Sequence, residues 1–434
     1  MKKIILTPLL LGLLLTQNAC NQEYLNPSAV SQQQAVSSVD GLIALCNGLQ
    51  YRYTGSASVS VLYNATATGG LTTKELIVLN AGNGDEDNLS KGLANVSNIN
   101  GVVRNLWTTS ELVKSNADII LNNLGVVTDA GTKSGIVGYS SIFRALALGT
   151  LAEFFEQAPI ATGDNAPFVP RAQLLKEAVT QLETAATQVA AAPVSANFTQ
   201  RIVTGIDIPN TIQALIARYS LFAGDYDKAL AAAAKVDLTK RSFFSFDDNT
   251  RNPIFQYSFG NRNVFEPTNA ALGLTGELAP AANDKRIAFY IRQNPTATQN
   301  LGTGFYTANN APIPVYLPGE IVLIQAEAYA RKGDVTNAIA SLNKVLTKTP
   351  ASDAWGVGAD LPAYSGSQVA ADVLTQIYRN RLIELAYQGF RLEDSRRFNR
   401  PGPGAANAER NRNFMPYPRT ERDNNTSTPT DPAN

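Results

Sequence analysis

Histidine is missing altogether from the 434 residues. That removes imidazole as a metal ligand, and with it the Ser-His-Asp and Cys-His catalytic arrangements. Two cysteines are too few for a Cys-rich metal site. Charge is scarce as well: Asp, Glu, Lys and Arg make up 17% of the chain, against roughly 25% in an average soluble domain. The 36 basic and 36 acidic residues cancel, so there is no bulk positive field with which to hold nucleic acid. What remains is a globular composition, 44% hydrophobic and able to bury a large core.

The first residues are Lys2-Lys3, an apolar run from Ile4 to Leu15, and Thr16-Gln17-Asn18-Ala19-Cys20. The run is shorter than the roughly 20 residues a membrane span needs and reads as a signal peptide. Signal peptidase I wants small residues at −3 and −1, but Gln17 stands at −3 to Cys20; a small residue directly before a cysteine resembles a bacterial lipobox. This predicts a signal peptide over 1–19, lipid attachment at Cys20 as the only membrane contact, a polar tether over 20–35 and a single domain over 36–434. An ordinary secreted protein is the alternative. After lipoprotein processing 415 of the 434 residues would remain, with a net charge near −2 once Lys2 and Lys3 are lost. Cys46 would then have no intramolecular disulfide partner, and its apolar neighbourhood Gly41–Leu45 predicts a small buried hydrophobe.

From Val36 onward apolar residues recur at helical spacing over 36–52, 102–124, 135–157, 171–192, 209–236, 318–348 and 369–390. The fold class is therefore mainly α. Two stretches, 80–100 and 240–312, are irregular and rich in Asn, Gly and aromatics; the second exceeds an ordinary connection and predicts short strands or a functional surface. Phe255-Gln256-Tyr257-Ser258-Phe259 alternates like a strand, and the tail 424–434 reads as a surface wrap. In 326–350, Ala326, Tyr329, Gly333-Asp334, Ala338, Leu342, Val345 and Pro350 fall at tetratricopeptide-repeat spacing. Ala217, Gly224-Asp225-Tyr226, Ala229 and Val236 repeat the scheme 109 residues earlier. Repeat-type helix pairs are thus predicted near 209–236 and 318–350, embedded in something larger than a tandem solenoid.

The segment Ile377 to Phe398, with Glu384-Leu385-Ala386, Gly389-Phe390-Arg391 and Asp394-Ser395-Arg396-Arg397, resembles the signature of the SusD/RagB family of surface nutrient-binding lipoproteins in Bacteroidota. Gly319 to Ala328, Asp284-Lys285-Arg286, Arg144 to Pro159, and Met415-Pro416-Tyr417-Pro418 with Glu421 and Asn424 extend the resemblance over most of the chain after Cys20. Asn380 and Gln388 stand where the family usually has Glu, which implies a rearranged ion-pair network. Arg379, Arg381, Arg391, Arg396 and Arg397 read either as structural cross-links to carboxylates and carbonyls or as an anion site; the three acids among them favour cross-linking.

The resemblance implies a SusD-like α-helical fold with embedded tetratricopeptide-type helix pairs and long irregular loops carrying short strands. It also implies a non-enzymatic, lipid-anchored protein at the outer-membrane surface that binds oligosaccharide and hands it to a SusC-like TonB-dependent transporter. A peptide-nutrient binder and a repeat-based interaction scaffold are the alternatives, and no cofactor or metal is expected. In the family the loop after a segment resembling Lys74 to Leu79 lines the ligand cleft; here it supplies Asn80, Asn83, Asp85, Asp87 and Asn88, which also read as a solvated turn cluster or as too few oxygens for calcium. Trp107 fits core packing. Trp355 sits in a loop, Ser352 to Gly358, with no periodic reason for burial, and Tyr51 and Tyr53 flank Arg52 at a helix end. The candidate ligand-binding residues are therefore Asn83, Asp85, Asn88, Trp355, Tyr51 and Tyr53.

Overall fold

The computed structural model describes residues 31–55, 57–292 and 301–433. The predicted signal peptide over 1–19, Cys20 and most of the predicted tether lie outside the described residues. At the end of the predicted tether Gln32–Val36 is helical, capped by a capping box between Ser31 and Gln34.

The helix Ala130–Phe154 forms the axis of the core, buried at every residue from Ser134 to Phe154. It is long and apolar enough to cross a membrane by length and composition, but Val39–Thr54, Gly101–Asn122, Arg171–Ala191 and Ile208–Ala223 pack around it. Its one buried arginine, Arg144, is held by Asp118 (2.6 Å) and Glu177 (2.8 Å) from two of those neighbours. Cys46 lies in this core, and burial pushes its thiol up to about 12.

The two predicted hairpins are present and share one construction. Ile208–Ala223 and Tyr226–Ala233 meet at Gly224 (φ +80°), and Pro318–Arg331 and Val335–Leu346 meet at Gly333 (φ +82°). Glycine adopts this left-handed turn without steric cost. The aspartate that follows each one caps the second helix, Asp225 accepting the Lys228 amide and Asp334 the Asn337 amide, both at 3.1 Å. The hairpins are adjacent in space: Tyr226–Ala233 packs on Pro318–Arg331, and Lys332 reaches Asp227. With Ala130–Phe154/Arg171–Ala191 before them and Ala370–Glu384/Arg391–Arg397 after them, they form a row of stacked helix pairs. Chain segments distant in sequence thus build one continuous helical stack.

Between the hairpins, 237–292 and 301–317 form a loop-rich face tied down by short antiparallel strands. Phe243–Phe244 pairs with Ile313–Pro314, Leu76–Val78 with Phe265–Pro267, and Ile291–Arg292 with Leu301–Gly302. Three local expectations fail here. Phe255–Phe259 is a π-helical turn rather than a strand, because Asn252 heads it, accepting the Phe255 amide while its own amide group binds the carbonyls of Phe305 and Ala311. The polar segment after Asn83 is helical over Gly84–Lys91. The arginine-rich segment does not continue as one helix: Tyr387 (φ +64°) and Gly389 (φ +86°) break it, and the Tyr387 carbonyl is taken by the hydroxyls of Thr66 and Tyr306, both at 3.1 Å.

The C-terminal segment returns to the first third of the chain. The Asn411 amide bonds Thr72 O (2.9 Å), Met415 bonds Phe154 O (2.8 Å), Arg419 bonds Asn98 O (2.9 Å) and the Asn425 side chain bonds Ala166 O (3.0 Å). Met415 and Tyr417 are wholly buried. Trp107 is core, as expected, its indole N–H donating to Glu421 at 3.1 Å.

Candidate functional site

The loop after Val335–Leu346 is shaped by Asp353. Its Oδ1 accepts the amides of Trp355 (2.8 Å) and Val357 (3.1 Å), while its Oδ2 takes the Lys348 ammonium (2.8 Å), which also reaches Glu384 (2.7 Å). The result is a short turn that holds the Trp355 indole partly exposed. Phe243 (5.8 Å, 89°) and Phe305 (5.5 Å, 86°) meet the ring edge-on, and the exposed Arg241 guanidinium lies 3.8 Å from its centroid, a cation–π contact on the ring face. Trp355 is therefore a supported, partly exposed ring. Phe243 and Phe305 support it, and Arg241 occupies one face.

Alternation along the strand sends Phe244 the other way, against Tyr53 at 5.6 Å. Tyr51 and Tyr53 cannot act together, since a helical step of two residues turns roughly 200°. Tyr53 points into the core with its hydroxyl 3.3 Å from Thr150, and burial pushes its pKa up to about 12. Tyr51 is 50% exposed. It edges a cleft of about 300 Å³ lined by Asn47, Gln50, Thr204, Phe246 and Asp247. The segment 241–247 thus serves both the Trp355 ledge and the Tyr51 cleft. Sequence reading missed Arg241, Phe243 and Asp353, because their partnership with Trp355 is made by folding across long separations.

The asparagine-rich segment forms a separate neighbourhood. The pairing of Leu76–Val78 with Phe265–Pro267 brings it beside 261–263: Asn83 Nδ2 donates to Asn263 O (2.9 Å) and Asn80 O (3.0 Å), and Asn80 lies 3.4 Å from the Asn263 side chain. Asp85, Glu86 and Asp87 occupy the first helical turn, where negative charge is favoured by the helix dipole. Asp87 also pairs with Lys91 at 2.5 Å. The Asp85 carbonyl takes the Asn100 side chain (2.9 Å), and the Asn88 carbonyl takes the Gly92 amide (2.9 Å). Only Asn83 among the three candidates here joins the neighbouring loop through its side chain. Among the described residues no group of three or more His, Cys, Asp or Glu side chains gathers as metal ligands.

Residues 233–433 match the model of the SusD family. That segment belongs to the SusD family. Solved structures of SusD-family proteins share the fold of the chain over nearly its whole length. A SusD superfamily protein from Bacteroides thetaiotaomicron superposes with TM-score 0.70 at 16% identity, covering 91% of this chain and 100% of that one. A SusD-like carbohydrate binding protein from Bacteroides vulgatus gives 0.66 at 18%, covering 84% of each chain. One from Bacteroides fragilis gives 0.67 at 14%, covering 91% and 99%. No curated protein sequence matches the chain.

Within the matched segment the arginine-rich stretch is chiefly a clamp. Arg381 makes a bidentate pair with Asp394 (2.9 and 3.0 Å), and Arg397 bridges Glu327 and Asp394. Arg379 binds Ala279 O at 2.6 Å, and Arg396 joins Glu393 at 2.5 Å. Arg286 is a buried hub, with both nitrogens of its fork on Asp284, a bond to Glu384 (3.1 Å) and another to Asn380 (2.8 Å). Asn380 Oδ1 accepts from the Arg286 guanidinium without adding a negative charge to the cluster.

Proposed function

We propose that this chain is a lipid-anchored protein of the outer-membrane surface, processed after residue 19 and tethered through Cys20, with 36–434 as one ligand-binding domain. It binds a glycan fragment without cleaving it and passes it to a SusC-like TonB-dependent transporter. The match of residues 233–433 to the SusD family and the fold shared with proteins described as SusD-like carbohydrate binding proteins support this reading. The observation that carries it is the Trp355 ledge beside the amide- and hydroxyl-lined Tyr51 cleft. A neutral sugar offers apolar C–H faces and paired hydroxyls, which an aromatic platform with neighbouring amides can match. We place ligand contact at Trp355 and Tyr51, with Arg241 as the side chain that must yield or share the indole face; Asn83 offers a secondary contact.

Calorimetric titration of the mature protein with a panel of neutral oligosaccharides tests the proposal. Binding should change little between low and physiological salt. Trp355→Ala should weaken it by about tenfold or more, as expected for loss of an aromatic contact. Because the ring also packs on Phe243 and Phe305, Trp355→Phe serves as the folded control with intermediate affinity. Unchanged affinity in a folded Trp355→Ala protein would remove the ledge from the site.

A further inference from the structure

On another part of the molecule a cleft of about 430 Å³ opens between the turn 273–278, the Ala370–Glu384 helix and the segment 400–409. Its volume lies within the range of small-molecule sites. Three cations line it: Lys74, Arg391 and Arg400. Arg400 is bound by Glu409 at 2.7 Å, and Glu277 lies 3.8 Å away.

Among the described residues the other two have no carboxylate ion-pair partner. Arg391 is 6% exposed; its Nη1 donates to Leu272 O (2.8 Å), while its Nη2 is buried without any hydrogen-bond partner. Lys74 Nζ donates to the Ala408 carbonyl at 3.1 Å, its one hydrogen bond among the described residues. Glu75 is the carboxyl that feels the Arg391 charge, but among the described residues no ion pair within 4 Å joins the two, and its Oε1 accepts the Tyr387 amide. A buried guanidinium with neutral partners alone is an uncompensated charge, and such charges are costly unless an anion completes them.

We infer that this cleft is a binding site for a small hydroxylated carboxylate, of the sugar-acid type, with its carboxylate between Arg391 and Lys74. Three cations and two acids leave a single positive charge at the cleft, which suits a monoanion better than a phosphate dianion. The exposed Asn407 and Thr275 at its edge supply an amide and a hydroxyl for the ligand's own hydroxyls. The site is separate from the Trp355 ledge and does not depend on the function proposed for it.

Titration of the mature protein with glucuronate, glucose, sulfate and inorganic phosphate tests the inference. Glucuronate should bind saturably and weaken as salt rises; glucose should not bind here, and the two inorganic anions should bind less tightly than glucuronate. Lys74→Gln should lower glucuronate affinity by about tenfold, the value of one charge-assisted hydrogen bond. Arg391→Lys keeps the charge but not the fork, and should lower it further. Trp355→Ala should leave glucuronate affinity unchanged. Equal responses to glucuronate and glucose, or glucuronate affinity unaltered in a folded Lys74→Gln protein, would overturn the assignment; phosphate binding tighter than glucuronate would overturn the monoanion choice.

Discussion

In the hairpin of Pro318–Arg331 and Val335–Leu346, turn, cap and apolar seam all come from one short stretch of chain: Gly333, Asp334, and Ala326, Ala338 and Leu342 packed together. The Trp355 ledge is assembled differently. Arg241, Phe243, Phe305 and Trp355 come from three segments that meet only in the folded protein. The helical stack is also sealed by buried ion pairs, such as Arg218 with Glu320 at 2.6 Å, with side chains 3% and 1% exposed. The loop face relies on short strands and asparagine hydrogen bonds as well, and the buried Arg286 hub ties it to the stack through Glu384. The ledge presents the exposed Arg241 beside the partly exposed Trp355 ring.

The contrast can be broken most severely at Arg218. Arg218→Ala should lower stability by about 3–5 kcal/mol, because Glu320 stays buried without its counter-charge and Val315 O loses its 2.8 Å donor. Urea denaturation measures the shift. Arg201→Ala, whose partner Asp40 is 83% exposed, is the control and should cost under about 1 kcal/mol. Next in size, Ala338→Leu should overpack the hairpin seam and cost about 1–3 kcal/mol, since Ala338 is wholly buried; an unmoved denaturation midpoint would mean that the seam yields. The smallest effect belongs to the loop face. Asn83→Ala should cost about 1 kcal/mol or less, and calorimetry of the variant shows whether its bonds to the 261–263 turn matter to the ligand.

The same contrast explains what could be read from the chain alone. The hairpins were legible because a Gly-Asp turn and alanines at repeat spacing are local signals. Val61–Thr72 was not, because it is buried almost all round, carries Gly69 and Gly70, and so lacks an amphipathic period. Its glycine serves a distant neighbour: a Cβ at Gly69 would lie 2.3 Å from Gly389 O. Gly84–Lys91 was read as a loop for the opposite reason, since only Leu89 is buried and its Asn, Asp and Gly content looks like turn chemistry. Of the candidate contacts, Trp355 stood out as an aromatic without a periodic reason for burial, and Tyr51 by its place at a helix end. Tyr53 looked equivalent until the helix turned it inward, and the guanidinium over Trp355 had no local signal at all.

The C-terminal segment carries a consequence for the order in which the protein is made. Met415 and Tyr417 fill core space against helices formed in the first third of the chain, and the Asn411, Met415 and Arg419 amides close onto Thr72, Phe154 and Asn98. A nascent chain therefore cannot complete its core until residues 411–425 have emerged from the ribosome, however early the Ala130–Phe154 axis assembles. Until then the apolar surface around Trp107 and Phe155, which Tyr417 covers in the finished protein, stays open to solvent, in an interval when aggregation or capture by a holding chaperone competes with folding.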